Sequence, residues 1–424
     1  MSVKIISNNN KRVTLEVTID LDNENFLETE ELIMDKVNEL GRTVTIEALK
    51  NLDLKESVIT VDGKRLYAKE VKKKYQSPYG DSEVIRKVFA PLGAGKQYCP
   101  VEKKAHIINT ATPKFAKMLT YKYNHNPAKI VQEDFQENHN RKISRSYIQK
   151  ISQIVSNILL KQEEDWDYKI PDMEAEVATI SIGIDGTCMP MGESSWREAM
   201  CGTFSFFDKN GNRMSTIYIA NAPEYGKGNF KERLDKEAIN IKKEFPEAQI
   251  IGVADGAKEN WSILEKYTAS NTLDYYHATE YLSKASRGVH PRSKPKREAW
   301  YEKACDTLKN VKNGAKNLLD EIKGLKDKKL SKGIKKGVED TITYFSNNFE
   351  RMNYKESIDN NLPIGSGVTE SACKIIVKQR VCVSGANWSE YGAKRFLPMR
   401  AICLSDTRWN QAWNKFMGSN EMVA

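Results

Sequence analysis

The chain has 424 residues, 40% of them hydrophobic, and carries 66 Lys and Arg against 57 Asp and Glu for a net charge of +9. That is more than one ordinary domain and apolar enough for a substantial core, which excludes a disordered chain. No 18-residue apolar run exists, MSVKIISNNNKR lacks an h-region, and the seven cysteines form no CxxC, so a membrane span, secretion, a disulfide framework and a zinc ribbon are all disfavoured.

Residues 1–110 read as a β-rich, partly helical unit. Val13, Leu15, Val17 and Ile19 alternate with polar residues, the mark of a half-buried strand. Asp62-Gly63 between VITV and KRLYA is a hairpin signal, and a second hairpin is expected from Glu83–Phe89 and Gln97–Val101 around PLGAG. This stretch is also acidic, with 7 basic against 12 acidic residues over 1–60.

Residues 111–165 read as three short helices. Thr112-Pro113 and Asn126-Pro127 each set a capping residue before a proline, starting helices over 113–123 and 127–138. Ser144 caps a third, whose Ile148, Ile151, Val155, Ile158 and Leu159 mark one buried face. Arg145, Gln149 and Lys150 lie off that face near the helix start, with Tyr147 at its edge. This is a helix-turn-helix pattern, with Arg145, Tyr147 and Lys150 as candidate DNA contacts; a helical linker domain is the plain alternative.

An acidic linker, EEDWDYKIPDMEAE, leads into a new domain at 176–277 that resumes at 356–424. VATISIGID reads as a buried strand ending at Asp185; EAMCGTFSFF and RMSTIYIA follow as strands joined by DKNGN, where Asn210-Gly211 suits a tight primed turn. A charged helix over 228–245, the strand AQIIGVAD, the helix KENWSILEKY and a short strand TLDYYH complete a β-β-β-α-β-α-β order. That order predicts an α/β core, an RNase H-like mixed sheet with helices on both faces. Residues 278–355 read as an all-α insertion, and 281–340 hold 17 basic against 8 acidic residues. Its clusters Lys326, Lys328, Lys329 and Lys332, Lys335, Lys336 suit phosphates without reading bases.

Three acids stand out by position. Asp185 and Asp255 each end an apolar strand and precede glycine, and Glu370 lies near the start of the helix SGVTESACKIIVKQRVCV. In the predicted sheet the first two sit on neighbouring strands and the late helix brings the third across. Two magnesium ions about 3.5–4 Å apart, held by such carboxylates, align a nucleophile and a leaving oxygen on a phosphodiester. Taken singly, an acid after a strand is usually a turn former or helix cap, and Asp255 could cap KENWSILEKY.

The segments SIGIDGT, VADGAKENW, LDYYHATEYL and LPIGSGVTESACKIIVKQR resemble the DDE transposases of bacterial insertion sequences, specifically the ISKra type, over roughly Tyr79 to Trp409. The resemblance implies catalytic, metal-binding carboxylates at Asp185, Asp255 and Glu370, with Mg2+, or Mn2+ in its place, as cofactor. It implies a helical insertion before the last acid. Asp274-Tyr275-Tyr276-His277 looks like the C/D(2)H motif of related superfamilies, which makes His277 a candidate at the scissile phosphate or an orienting group; a core-bonded residue at a strand end is the alternative. Lys374 and Lys378 follow Glu370 by four and eight residues and are candidate phosphate contacts. The expectation is thus a cytoplasmic, nucleoid-associated homo-oligomer that binds double-stranded transposon ends and target, then cuts and joins strands. A catalytically inactive DNA-binding regulator derived from a transposase, or an RNase H-fold nuclease, is the alternative.

Overall fold

The structure, a computed structural model, describes residues 3–9, 11–21, 25–93, 95–192, 195–325 and 329–419. The chain divides into two units, Met1–Asp165 with Ala412–Ala424, and Trp166–Gln411.

The first unit begins with a hairpin of β1 (Lys4–Asn9) and β2 (Arg12–Glu16), followed by a 25-residue helix α1 (Phe26–Lys50). Asn25 caps α1 by accepting from Glu28 N at 2.9 Å. A three-stranded antiparallel sheet follows, β3 (Val58–Val61), β4 (Lys64–Ser77) and β5 (Gly80–Ala90). Asp62 and Gly63 both take positive φ, 50° and 75°, as a primed two-residue turn requires. Of the second expected hairpin only a single antiparallel bridge, Phe89–Tyr98, forms among the described residues. β5 pairs along its length with β4, through a turn at Pro78-Tyr79. The continuous ladder of β4 outweighs the glycine-rich PLGAG as a pairing signal.

Beyond the short α2 (Pro100–Lys104) come α3 (Pro113–His125), α4 (Ala128–His139) and α5 (Arg145–Lys161). Asn140 closes α4 in the left-handed region at φ 48°, and Ser144 Oγ accepts from Tyr147 N at 3.2 Å. Ile148, Ile151, Val155 and Leu159 are buried, the face that helical spacing predicts.

The second unit is a mixed sheet with helices on both faces. Its strands are β6 (Thr179–Met191), β7 (Ser195–Phe207), β8 (Arg213–Asn221), β9 (Gln249–Ala254) and β10 (Ser270–Leu273), in spatial order β8-β7-β6-β9-β10. The first three pair antiparallel; β6, β9 and β10 run parallel. In the β7–β8 loop Gly211 takes φ 78°, while the Asp208 carboxylate accepts from Asn210 N and Asn212 N; Asn210 is not left-handed, so the turn is not the primed one expected. Helix α6 (Gly228–Glu244) covers one face, its Phe230 and Leu234 lying where a Cβ on Gly202 would point. Helix α7 (Lys258–Leu264) follows β9.

β10 stops at Leu273, and α8 (Tyr275–Val289) begins at once, capped by Asp274. His277 therefore lies in a helix's first turn and not in the short strand expected there, because a buried Asp three residues ahead of a backbone N–H is a strong N-cap. Helices α9 (Lys294–Asn310), α10 (Gly314–Lys323) and α11 (Lys332–Asn348) complete the insertion, which has no strand among its described residues, and α12 (Tyr354–Asp359) leads out of it. Chain entry and exit meet where Tyr275 N donates to Ile364 O at 2.9 Å.

The last long element starts as α13 (Gly367–Ala372), widens into a π-helical stretch Cys373–Lys378 and ends in a turn of α-helix, α14 (Gln379–Val381). It lies on the face opposite α6: Thr369 Oγ1 is 2.7 Å from Thr203 Oγ1, and Gly183 leaves room for the Thr369 hydroxyl. Helices α15 (Glu390–Leu404) and α16 (Arg408–Gly418) end the described chain. None of the helices described is long and apolar enough to cross a membrane.

Candidate active site

β6 is the central strand, buried from Thr179 to Ile184. Its pairing with β9 ends at Gly183↔Val253, so Asp185 sits just past the parallel ladder. The strand does not end there, as the sequence suggested; it runs on to Met191 against β7, since pairing continues through Cys188, Met189 and Pro190. The half-buried Asp185 carboxylate accepts from Gly186 N at 2.7 Å. Burial pushes its pKa above the usual carboxylate value; a Cys373 thiol bond and the Gly186 bond oppose this, while the charges of Asp255 and Glu370 push further up. The charges of Asp255 and Glu370 thus both act on Asp185.

Asp255 directly follows β9. Its Oδ1 accepts from Ala257 N at 3.1 Å and Asn260 Nδ2 at 3.3 Å, and the same amide reaches Ile184 O on β6 at 3.3 Å. Asp255 does not cap α7, whose N-cap is Ala257. Gly256 takes φ 101°, and a Cβ there would lie 3.0 Å from Leu273 and 3.1 Å from the Tyr344 hydroxyl. That hydroxyl, borne by α11 of the insertion, donates to Asp255 O at 2.8 Å. The insertion thereby holds the loop that carries the second acid.

Glu370 is exposed on α13. Its Oε1 lies 3.0 Å from Ser366 Oγ and 3.5 Å from His277 Nε2. Asp274, 1% exposed, joins the two helices: Oδ1 accepts from His277 N at 2.7 Å, and Oδ2 from Ser366 N at 2.5 Å and Ser366 Oγ at 2.9 Å. Asp274, His277 and Glu370 each offer a ligand atom within 4.8 Å of the others, so this group could hold a metal ion.

That group shares only Glu370 with the predicted triad. Asp274 already accepts three hydrogen bonds and is closed to solvent, whereas Asp185 and Asp255 are only half-buried.

Among the candidate DNA contacts, Arg145 and Lys150 are exposed on α5, Arg145 Nε donating to Gln132 at 3.1 Å. Tyr147 is half-buried, its hydroxyl 3.0 Å from Thr110 Oγ1 and its pKa pushed up to about 12, chiefly by burial. Lys374 and Lys378 are both exposed; Lys378 Nζ donates to Cys188 O on β6 at 2.7 Å. The π-helical stretch falls between them, so regular four-residue spacing does not describe their faces. Lys329 and Lys332 are exposed before and at the start of α11, while Lys326 and Lys328 lie outside the described residues. Sequence reading did not single out Asn260, Ser366, Tyr344 or Cys373. Asn260, Ser366 and Cys373 each lie within five residues of an acid of interest, a weak local signal; Tyr344 carried none. Compared with known proteins, the chain matches no family model, and no curated protein matches it.

Proposed function

We propose that the chain is a DDE-type DNA transposase on an RNase H-like core, cutting and joining DNA strands with Mg2+ or Mn2+. The observation that carries this is the convergence of Asp185, Asp255 and Glu370 from two neighbouring parallel strands and a helix crossing their sheet. The strand order β8-β7-β6-β9-β10, with three antiparallel strands followed by two parallel to the first, is compatible with the RNase H-like layout expected from the sequence and supports the same reading.

Asp185, Asp255 and Glu370 are the residues that would hold the cations. When bound, two such ions neutralise the scissile phosphate and raise the nucleophilicity of the attacking hydroxyl. The chain's own groups do the rest. Asn260 ties Asp255 to the β6 backbone, fixing the two aspartates against each other. His277, in reach of Glu370 and anchored through its backbone by Asp274, orients that carboxylate or donates to a phosphate oxygen. The exposed ammonium of Lys374 suits a neighbouring phosphate. The three-helix segment α3–α5 reads the ends, the basic insertion tracks phosphates, and a homo-oligomer pairs two ends.

The test is cleavage and strand transfer on DNA from the ends of the chain's own element. Full activity is expected in Mg2+ or Mn2+, binding with little turnover in Ca2+, and none in excess chelator. Activity in chelator rejects the reading; cleavage without joining makes the chain a nuclease; binding without cleavage makes it a regulator.

A further inference from the structure

β6 parts from β9 after Gly183, and β7 meets β8 only from Met200 onward. Between these points Thr187–Met191 and Ser195–Ala199 pair with each other, with a single added bridge from Met191 to Trp388, as a two-stranded arm that starts two residues past the first acid of the triad. One side of the arm is sealed: Met189, Met191 and Ala199 are buried, and Gly192 N donates to Trp388 O at 3.0 Å. The alternate positions Cys188, Trp196 and Glu198 are exposed. Trp196 is 62% exposed, a large apolar area for a tryptophan in a regular strand.

One cation lies by this ring and a second pairs with its neighbour Glu198. Lys378 Nζ lies 5.8 Å from its centre while bound to Cys188 O, and Lys227 pairs with Glu198 at 2.9 Å. Lys227 also pairs with Glu259 at 3.1 Å, at the start of α7 just past Asp255. The open side of the arm therefore leads from Trp196 to the Asp255 loop. Trp196 pairs with Pro190, five residues past Asp185, or roughly 17 Å along the strand.

We propose that the open side of the β6–β7 arm binds an unpaired nucleobase of the DNA strand being processed, with Trp196 as its stacking surface and Lys378 beside the strand's phosphates. A protein helix would need a broad apolar patch, whereas here a single flat ring stands among Glu198, Lys227 and Lys378. A base joined to phosphates matches such a ring with an ammonium group beside it. Bases inside a duplex are already stacked, so the subsite selects frayed, nicked or single-stranded DNA near the acids. This rests on the reading of the chain as a DNA-processing enzyme.

The probe is a short single-stranded oligonucleotide carrying 2-aminopurine, whose fluorescence falls on stacking, with its duplex form as comparison. The full-length protein should bind and quench it. Trp196→Ala should weaken binding by about 5- to 150-fold, the range expected for one base–aromatic stack, and abolish quenching. Trp196→Phe should restore most of both, and duplex affinity should change little. Absence of oligonucleotide binding by the wild type, an unchanged Trp196→Ala, or equal losses on single strand and duplex overturns the proposal. The Asp185→Asn protein separates the two readings. If it still cleaves while Trp196→Ala loses the single strand, the active-site reading fails and the subsite stands. If it is inactive while Trp196→Ala binds normally, the subsite alone fails.

Discussion

Two carboxylates of the same unit, Glu237 and Asp185, have opposite surroundings. Glu237 is fully buried on α6 and accepts from Arg408 at 2.6 Å and from Trp166 Nε1 at 2.9 Å. Its charge has a dedicated partner, itself 2% exposed, and α6 is tied to the C-terminal helix by that pair. Asp185 keeps partial access to water, and the charged neighbours that most affect it are two more acids. A buried acid placed for stability is given a cation by the chain; acids gathered without one leave that position to an outside ion.

If this distinction is right, Asp185→Asn, Asp255→Asn and Glu370→Gln should each bring DNA cleavage below detection. Asp185→Asn should also leave thermal stability unchanged or raised in metal-free buffer, because a raised pKa means that the fold disfavours the charged form. A variant that cleaves normally in magnesium removes its residue from the site. A clear fall in melting temperature for Asp185→Asn would make that acid a structural one like Glu237.

The opposite pattern is expected of the buried pair. Glu237→Gln or Arg408→Met leaves one charge unpartnered and should lower stability by about 3–5 kcal/mol in denaturant melts, with per-molecule cleavage kept wherever the protein stays folded. Selective loss of cleavage, with stability intact, would erase the contrast.

Asp274→Asn tests the residue between these extremes. An amide nitrogen facing Ser366 N or His277 N loses an acceptor that both need. Titrating cleavage with magnesium should show a 10- to 100-fold weaker metal requirement constant, the usual effect of disturbing a ligand's support, with a smaller change in the rate at saturation. An unchanged magnesium titration would reduce Asp274 to a plain helix cap.

Much of this architecture is legible in the residues. The apolar runs of β6, β7, β8 and β9 and the periodic face of α5 announce themselves, and Asp185, Asp255 and Glu370 are marked by their places beside such elements. What escapes is tertiary. β6 continues past Asp185 through polar Thr187, Cys188 and Pro190 because β7 supplies a partner, which no local pattern reveals. Tyr275 and Tyr276 look like strand residues, yet a buried Asp274 converts them into a helix start. The widened turns at Cys373–Lys378 and the grip of Tyr344 on the Asp255 carbonyl depend on neighbours distant in sequence.

The smallest effects should come from the basic surface, again as a contrast between two regions. Arg145→Ala or Lys150→Ala on α5 should cost ~1–3 kcal/mol on cognate ends and little on random DNA, if they read bases. Lys329→Gln with Lys332→Gln should weaken both DNAs alike and flatten the slope of log affinity against log salt by up to about 2. Equal losses on both DNAs for the α5 variants would make that segment a clamp; a cognate-only loss for the lysine pair would make the insertion a reader.

The hydrogen bond from Tyr275 N to Ile364 O, with Ser366 N bound to Asp274 one step further in, gives the intervening chain a closed neck. Everything past that neck behaves as a cartridge. Changes in its length carry little loop-closure penalty because its two ends are pinned, while Arg351, paired with Glu265, and Asn361, donating to Lys209 O, are further ties that an exchange must respect. The Tyr344 hydroxyl is a catch reaching back from the cartridge to the Asp255 loop. A chimera that exchanges the cartridge but keeps the neck, the first turn of α8 with His277 and a hydroxyl at that point would therefore show how far the carboxylates depend on what the cartridge contains.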